Sequence, residues 1–221
     1  IFTNKKVVAI IATFCCFLWG SAFPAIKNGY VMFNISASDI PSKLVFAGYR
    51  FIIAGLVLLV IAKSCGKKIF DISKKNALDL SCLGVIQTTL QYIFFYIGVS
   101  NTTGVKGSIM NSTVTFFSVI LAHYIYKNDK LNMQKILGCI VGFIGVMSMN
   151  FSTDLLDFSF RFNGEGFLMI AAFVSAVGAI YGKKLTKSMD VMVVTGYSLF
   201  VGGIMLMLLG MLSGGDRKSV V

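Results

Sequence analysis

The chain has little of what soluble enzymes depend on. Its 221 residues include one histidine, two prolines, one tryptophan and nine acidic residues, and only 13% are charged, about half the share found in a soluble domain. The nine acids are Asp39, Asp71, Asp79, Asp129, Asp154, Asp157, Glu165, Asp190 and Asp216, all in loops or near the ends of apolar runs. No carboxylate stands mid-run to carry a proton, and no acidic pair at helical spacing suggests a two-carboxylate hydrolase. With His123 as the lone histidine, no metal centre is expected, and the chain does not read as an enzyme or as a cofactor binder. The five cysteines, Cys15, Cys16, Cys65, Cys82 and Cys139, form no C-x-x-C pair. This excludes a zinc site or disulfide framework and leaves them as small apolar fillers.

What the chain has in excess is apolar residues, 56% of the total, with a mean hydropathy of +0.81. A bilayer core of about 30 Å needs roughly 20 apolar residues per helix, because lipid cannot satisfy exposed backbone groups. Seven runs qualify: 7–27, 41–62, 77–99, 104–126, 132–150, 164–185 and 190–212. The fold class expected is all-α, a polytopic transmembrane helix bundle in contact with a lipid bilayer. The net charge of +11 would suggest nucleic acid in a soluble protein, so its placement decides. One set of run ends carries thirteen lysines: Lys5, Lys6, Lys63, Lys67, Lys68, Lys74, Lys75, Lys127, Lys130, Lys135, Lys183, Lys184 and Lys187. The other carries Lys27, Lys43, Lys106, Arg161, Arg217 and Lys218. Short lysine-rich loops stay cytoplasmic, so the N-terminus is expected inside, and the charge is an orientation signal rather than a nucleic-acid surface.

Two spans resemble each other. At an offset of 148 residues, VFAGYRFIIAGLVLL (45–59) aligns without a gap on VVTGYSLFVGGIMLM (193–207), with Val45, Gly48, Tyr49, Gly55 and Leu58 on Val193, Gly196, Tyr197, Gly203 and Leu206. The seven-residue spacing of Gly48, Gly55 and Ala62 against Gly196, Gly203 and Gly210 gives each helix an edge that a neighbour can approach closely. If span 7 repeats span 2, the unit is five spans, and an odd unit inserts its second copy upside down. Such inverted repeats characterise secondary transporters with a midplane site. The expected organisation is a first repeat at 1–150, an outer linker at 151–163 and an incomplete second repeat at 164–221. Three further spans are expected beyond this chain, which begins with Ile1 rather than Met.

Polar side chains inside a span turn toward other helices or a cavity. Span 4 places Ser108, Asn111, Ser112, Thr115 and Ser118 on one face at three- and four-residue steps, and span 3 carries Gln87 and Gln91 beside Thr88, Tyr92 and Tyr96. Asn111, Thr115, Gln87, Gln91 and Tyr92 are candidates for a substrate pathway, while helix packing equally accounts for the hydroxyls. Tyr96 reads as part of an interfacial aromatic belt. In span 1, Trp19 stands beside a stripe that contains Pro24, a candidate helix kink. Arg50 is the one cation well inside a span, roughly 9 to 13 Å along its helix from the end. It is a candidate site residue, or a structural bond to loop carbonyls at the rim. Gly138, Gly142 and Gly145 form a small-residue edge in span 5, suited to helix packing and compatible with a homodimer.

The segments FLWGSAFPAIK (17–27), FAGYRF (46–51), QYIFFYIGVSNTT (91–103), NDKL (128–131) and LGCIVGFIGV (137–146) together resemble an EamA-type transporter of the drug/metabolite transporter superfamily. The resemblance implies a ten-span inner-membrane carrier of two inverted five-helix repeats that moves a small-molecule substrate, commonly by exporting amino acids or similar metabolites. Three family segments fall on Trp19–Gly20–Ser21, on Arg50–Phe51 and on the turn Asn128–Leu131. The chain departs from the family's pattern at Phe116, where a proline is common, at the N-D of the turn, and at Ser175, where a tryptophan is often found. A nucleotide-sugar or triose-phosphate exchanger of the same superfamily is the related alternative. A non-transporting seven-helix membrane protein is the more distant one. A rhodopsin-type receptor would need a lysine within 190–212, which has none.

Overall fold

A computed structural model of the chain describes residues 5–36, 38–126, 130–149 and 161–214, and among these every regular element is a helix. In chain order they are α1 (Lys5–Met32), α2 (Ile40–Ser64), α3 (Lys74–Ser100), α4 (Gly104–Ile125), α5 (Met133–Met149), α6 (Phe162–Leu185) and α7 (Val191–Leu212). Five of them, α2, α3, α4, α6 and α7, are long and apolar enough to cross a membrane. The α1 and α5 helices carry shorter apolar stretches, Lys6–Leu18 and Met133–Met149. The helices sit where the hydropathy placed the spans, with α1 running five residues further, to Met32. Residues 151–160 of the expected linker, Asn128 and Asp129 of the expected turn, and Lys127, Arg217 and Lys218 of the charge pattern lie outside the described residues, as do the side chains of Lys5, Trp19 and Lys27.

Local chemistry starts and stops these helices. Asp39 caps α2 by accepting from the Ser42 N–H at 3.0 Å, with Pro41 in the first turn, and Asp190 caps α7 by accepting from the Met192 N–H at 2.9 Å. Each carboxylate satisfies an N–H with no helical partner and meets the positive end of the helix dipole. The α1 helix closes on Asn34, at φ 52°, with the Ile35 N–H donating to the Tyr30 carbonyl at 2.9 Å. The α2 helix closes the same way on Gly66, at φ 75°, with the Lys67 N–H donating to the Ala62 carbonyl at 3.0 Å. A left-handed residue is what this helix stop requires, and glycine or asparagine supplies it at least cost.

The central contact is between α2 and α7. Lipid gives no hydrophobic drive for helix association, so close packing of backbones has to supply it. A methyl group added at Gly55 would lie 2.7 Å from the Phe200 backbone nitrogen, and one at Gly203 would lie 2.9 Å from that of Ile52. One at Gly48 would meet Met207, one at Gly196 would meet Leu59, and one at Gly210 would meet Val45. The pairing is antiparallel, since positions rising from 45 to 59 on α2 meet positions falling from 210 to 196 on α7. Shifted by the repeat offset, the Gly55–Phe200 contact becomes Gly203–Ile52, and Gly48–Met207 becomes Gly196–Leu59. The two helices therefore present equivalent edges to each other about their midpoints. Their outward faces carry exposed Ile53, Val57, Val60 and Leu208, side chains suited to lipid.

Further glycines seat the other helices. On α3, Gly84 approaches the Ser198 carbonyl, and buried Thr89 donates its hydroxyl to the Gly202 carbonyl at 3.1 Å. On α6, Gly178 receives Gln87, and on α3, Gly98 receives Leu168 of α6. Between them lies a wide turn of α3, Val85–Leu90, with the i→i+5 pattern of a π-helix, an irregularity frequent at functional sites. The α4 helix packs on α6 through Phe117 and Phe173, and α5 packs on α4 through Phe116 and Phe143. A methyl group added at Gly138, Gly142 or Gly145 would have no atom within 4 Å, so the small-residue edge of α5 faces open space in the single chain. The cysteines differ from the expectation of packed fillers, since Cys15, Cys16, Cys65 and Cys82 are exposed. Cys15 and Cys16 lie on the outward apolar surface of α1, which lipid can cover.

Three ties close the lysine-rich end. Lys67 pairs with Asp190 at 2.8 Å, Tyr197 donates to the Ile69 carbonyl at 2.8 Å, and Tyr181 donates to Asp79 at 2.9 Å. The first two strap the loop after α2 across the start of α7, and the third joins α3 to α6. At the opposite end, buried Glu165 accepts from the Thr102 hydroxyl at 2.7 Å and the Arg161 N–H at 2.9 Å. This fastens the turn between α3 and α4 onto α6.

Gly55→Ala and Gly203→Ala each force backbone apart and should destabilise the protein by about 1 to 3 kcal/mol. Gly138→Ala and Gly142→Ala meet nothing and should stabilise by up to about 1 kcal/mol through helix propensity. Unfolding in mixed micelles measured by circular dichroism separates the two pairs. For the strap, Asp190→Ala removes both cap and ion pair and should lower the melting temperature more than Asp190→Asn, which keeps a capping side chain and should match Lys67→Ala. The hydrogen bond and charge of Asp190 raise the Lys67 pKa, and the same bond lowers that of Asp190. The pair's contribution is therefore complete from above the ordinary carboxylate value to below the ordinary lysine value. It is lost as pH falls through the depressed Asp190 value or rises through the raised Lys67 value. Across neutral pH only added salt should loosen it, since both side chains are partly exposed.

Candidate functional site

The densest meeting of polar and aromatic side chains lies at the end of the bundle opposite the lysine-rich loops, where the last turn of α1 reaches α2 and α3. The glycine edge of α2 faces α7, and Arg50, two residues beyond Gly48 and so about 200° around the helix, points to the other side. There Tyr30 of α1 packs edge-on against Phe46 at 5.4 Å between ring centroids, and Gly29 leaves room for that ring. From α3, Tyr92 packs edge-on against Phe51 at 4.7 Å and continues into Phe95 and Tyr96. The Tyr30 hydroxyl donates to the Tyr96 hydroxyl at 3.2 Å. The Arg50 guanidinium stands 4.7 Å from the centroid of the Phe51 ring, the same ring that Tyr92 meets edge-on. Leu44, Ala47 and Leu206 back the cluster with buried apolar surface.

Arg50 and Tyr92 are thus brought together, and Tyr30 and Tyr96 join them. Tyr96 is 7% exposed and does not belong to an aromatic belt at the lipid interface, because α2 and the end of α1 cover it. Nothing in the sequence pairs Tyr30 with Tyr96, 66 residues apart; the one local signal is the Tyr92–Tyr96 spacing of one helical turn. Among the described residues no carboxylate lies within 4 Å of Arg50, the ion pairs there being Lys67–Asp190 and Lys68–Asp71.

The other candidates lie elsewhere. Gln87 sits against Gly178, with its amide oxygen 3.8 Å from where a methyl on Gly182 would be. Gln91 stands one turn later on the row whose Phe94 and Gly98 meet Phe167 and Leu168. The amides of α3 therefore face α6 and its phenols face α2, although the sequence places them on one broad side. On α4, Ser112 and Thr115 line an open groove shared with Phe116, Gly138, Cys139, Gly142, Phe143 and Val146. Asn111 is half-buried on the preceding turn. The helix is interrupted at Thr113, where the Ser112 and Thr113 hydroxyls donate to the Ile109 and Met110 carbonyls. Such back-bonding bends helices, and it stands near Phe116, where the resemblance expects a proline. The α1 helix continues through Pro24, whose missing N–H leaves the Gly20 carbonyl without its helical donor. No cluster of His, Cys, Asp or Glu among the described residues could hold a metal.

Residues 6–151 match the EamA-like transporter family. The chain is 23% identical over 219 residues to an uncharacterized transporter of Methanothermobacter thermautotrophicus, covering 89% of this chain and 62% of that protein. It is 26% identical over 186 residues to the uncharacterized transporter YdfC of Bacillus subtilis, covering 83% and 56%. It is 22% identical over 201 residues to a chloroplastic WAT1-related protein of Arabidopsis thaliana, covering 89% and 46%. The chain thus spans about half to three-fifths of the length of these relatives. No solved structure matches it. With about two thirds of its length covered by the family and a helical bundle suited to the membrane, the chain belongs to the EamA-like transporter family, a family of transporters rather than of enzymes.

Proposed function

We propose that the protein is a secondary transporter that moves a small metabolite, an amino acid or a solute of similar size, across the cell's inner membrane by alternating access. The observation that carries this reading is the antiparallel contact of α2 and α7. Its glycines sit at positions related by the 148-residue offset, which supports a first repeat at 1–150 and an inverted second one beginning at 164, and an inverted pair of such units can expose one site to either side in turn. The lysine-rich ends support a cytoplasmic N-terminus. The residues offered for the pathway in this reading are Trp19 on α1, Gln87 and Gln91 on the α6-facing side of α3, Tyr92 on its α2-facing side, and Asn111 and Thr115 on α4, with Arg50 at the outer end. The open α5 edge of Gly138, Gly142 and Gly145 is available to a second copy in a homodimer.

Overproducing the full-length protein should change efflux of, or tolerance to, at least one metabolite in a panel that includes the amino acids; an unchanged panel contradicts the reading. Gln91→Ala or Asn111→Ala should lower transport by roughly tenfold, the effect of one lost hydrogen bond of about 1.4 kcal/mol, with membrane insertion intact. Unchanged transport in both variants would move the pathway off α3 and α4.

A further inference from the structure

The cluster around Arg50 is rich in donors and poor in acceptors. A guanidinium brings five N–H groups and no acceptor. The Tyr96 oxygen accepts from Tyr30, which leaves the Tyr96 proton available, and the Tyr92 hydroxyl makes no hydrogen bond among the described residues. The charge is unbalanced as well, since no described carboxylate lies within 4 Å of Arg50. A lone cation inside a span is costly to leave without a counter-charge, and a guanidinium matches a carboxylate in a planar two-bond fork. One positive charge balances a monoanion better than a dianionic phosphate. The surrounding rings of Phe51 and Phe95 and the faces of Tyr30 and Tyr92 suit an apolar body attached to that anion.

We propose that Arg50, with the hydroxyls of Tyr92 and Tyr96, binds the carboxylate of a soluble amphipathic monoanion whose apolar part lies against the aromatic rings of α1, α2 and α3. This rests on the transporter reading, and it narrows the cargo to organic acids that carry a single carboxylate. A phospholipid phosphate offers the same anionic oxygens at this end of the bundle, so the test has to separate the two sources.

The full-length protein, purified and delipidated in detergent, is titrated with phenylacetate, with its neutral isostere phenylacetamide, and with inorganic phosphate, monitoring thermal stability and heat of binding. The same titrations are repeated in nanodiscs of phosphatidylcholine alone and with phosphatidylglycerol. Phenylacetate should bind saturably in every setting and phenylacetamide at least tenfold more weakly. Arg50→Gln should weaken phenylacetate about tenfold or more, Arg50→Lys by less, and Tyr92→Phe by a few-fold. Equal binding of acid and amide, or unchanged affinity in Arg50→Gln, overturns the proposal. So does phenylacetate binding that disappears whenever phospholipid is present, which assigns the site to a lipid phosphate. If Arg50→Gln does not fold, Tyr92→Phe decides, since it removes one hydroxyl and leaves the ring packing. Phenylacetate binding without transport of any carboxylate in proteoliposomes keeps the site and removes the transporter reading. Transport of neutral solutes without carboxylate binding does the reverse.

Discussion

The close approach of α2 to α7 sets the geometry of everything around it. In lipid, two apolar helices gain nothing by hiding apolar surface from each other, so what holds them is dispersion between backbones brought nearly into contact. Only glycine allows that distance. With Gly55 against the backbone of Phe200 and Gly203 against that of Ile52, neither helix can rotate about its axis without driving a side chain into its partner. Fixing the rotation of α2 fixes which of its residues face α1 and α3. Fixing that of α7 presents Gly202 to α3, whose Thr89 hydroxyl locks onto its carbonyl.

This constraint determines where the polar residues end up. Arg50 stands about 200° around α2 from Gly48, so the edge that seats α7 turns the guanidinium away from α7, and it lies beside the Phe51 ring that meets Tyr92. On α3, Gly84 and Thr89 are committed to α7, while Gln87 and Gly98 are committed to α6. Tyr92 and Tyr96 take the remaining side, against α2. The wide turn at Val85–Leu90 allows one helix to serve three neighbours, because an added residue in a turn rotates the rest of the helix relative to the part before it.

Part of this was legible in the sequence. The spans were readable because lipid imposes a length, and the close-packing edges of α2 and α7 were readable because seven-residue glycine spacing recurs at a fixed offset, although nothing there named each as the other's partner. At Gly138, Gly142 and Gly145 the same letters give an edge that meets nothing within 4 Å in the single chain. Glycine spacing states that close approach is permitted, and a partner decides whether it happens. The pairing of Tyr30 with Tyr96 and of Glu165 with Thr102 was not legible. Each joins residues more than sixty positions apart, and local periodicity carries no record of which helices meet. For the same reason the division of α3 into an amide side and a phenol side emerged only from its neighbours, and Tyr96 looked like a lipid-facing aromatic until α1 covered it.

The ties at the two ends of the bundle differ in kind from the contact at its middle. Lys67–Asp190, Tyr197 to Ile69 and Tyr181 to Asp79 at one end, and Tyr30–Tyr96 and Glu165–Thr102 at the other, are single polar bonds. Each can be exchanged for a bond to water at a net cost of about 1 kcal/mol. The glycine contact offers no such exchange, because opening it would leave a gap that neither lipid nor water fills well. In the alternating-access cycle proposed above, the middle contact would serve as the pivot and the ends as latches opened in turn as water enters one side. Arg50 then stands among the groups that part when its own end opens. An anion held there as proposed would sit among the groups that this opening separates, so that its binding and the opening would be coupled.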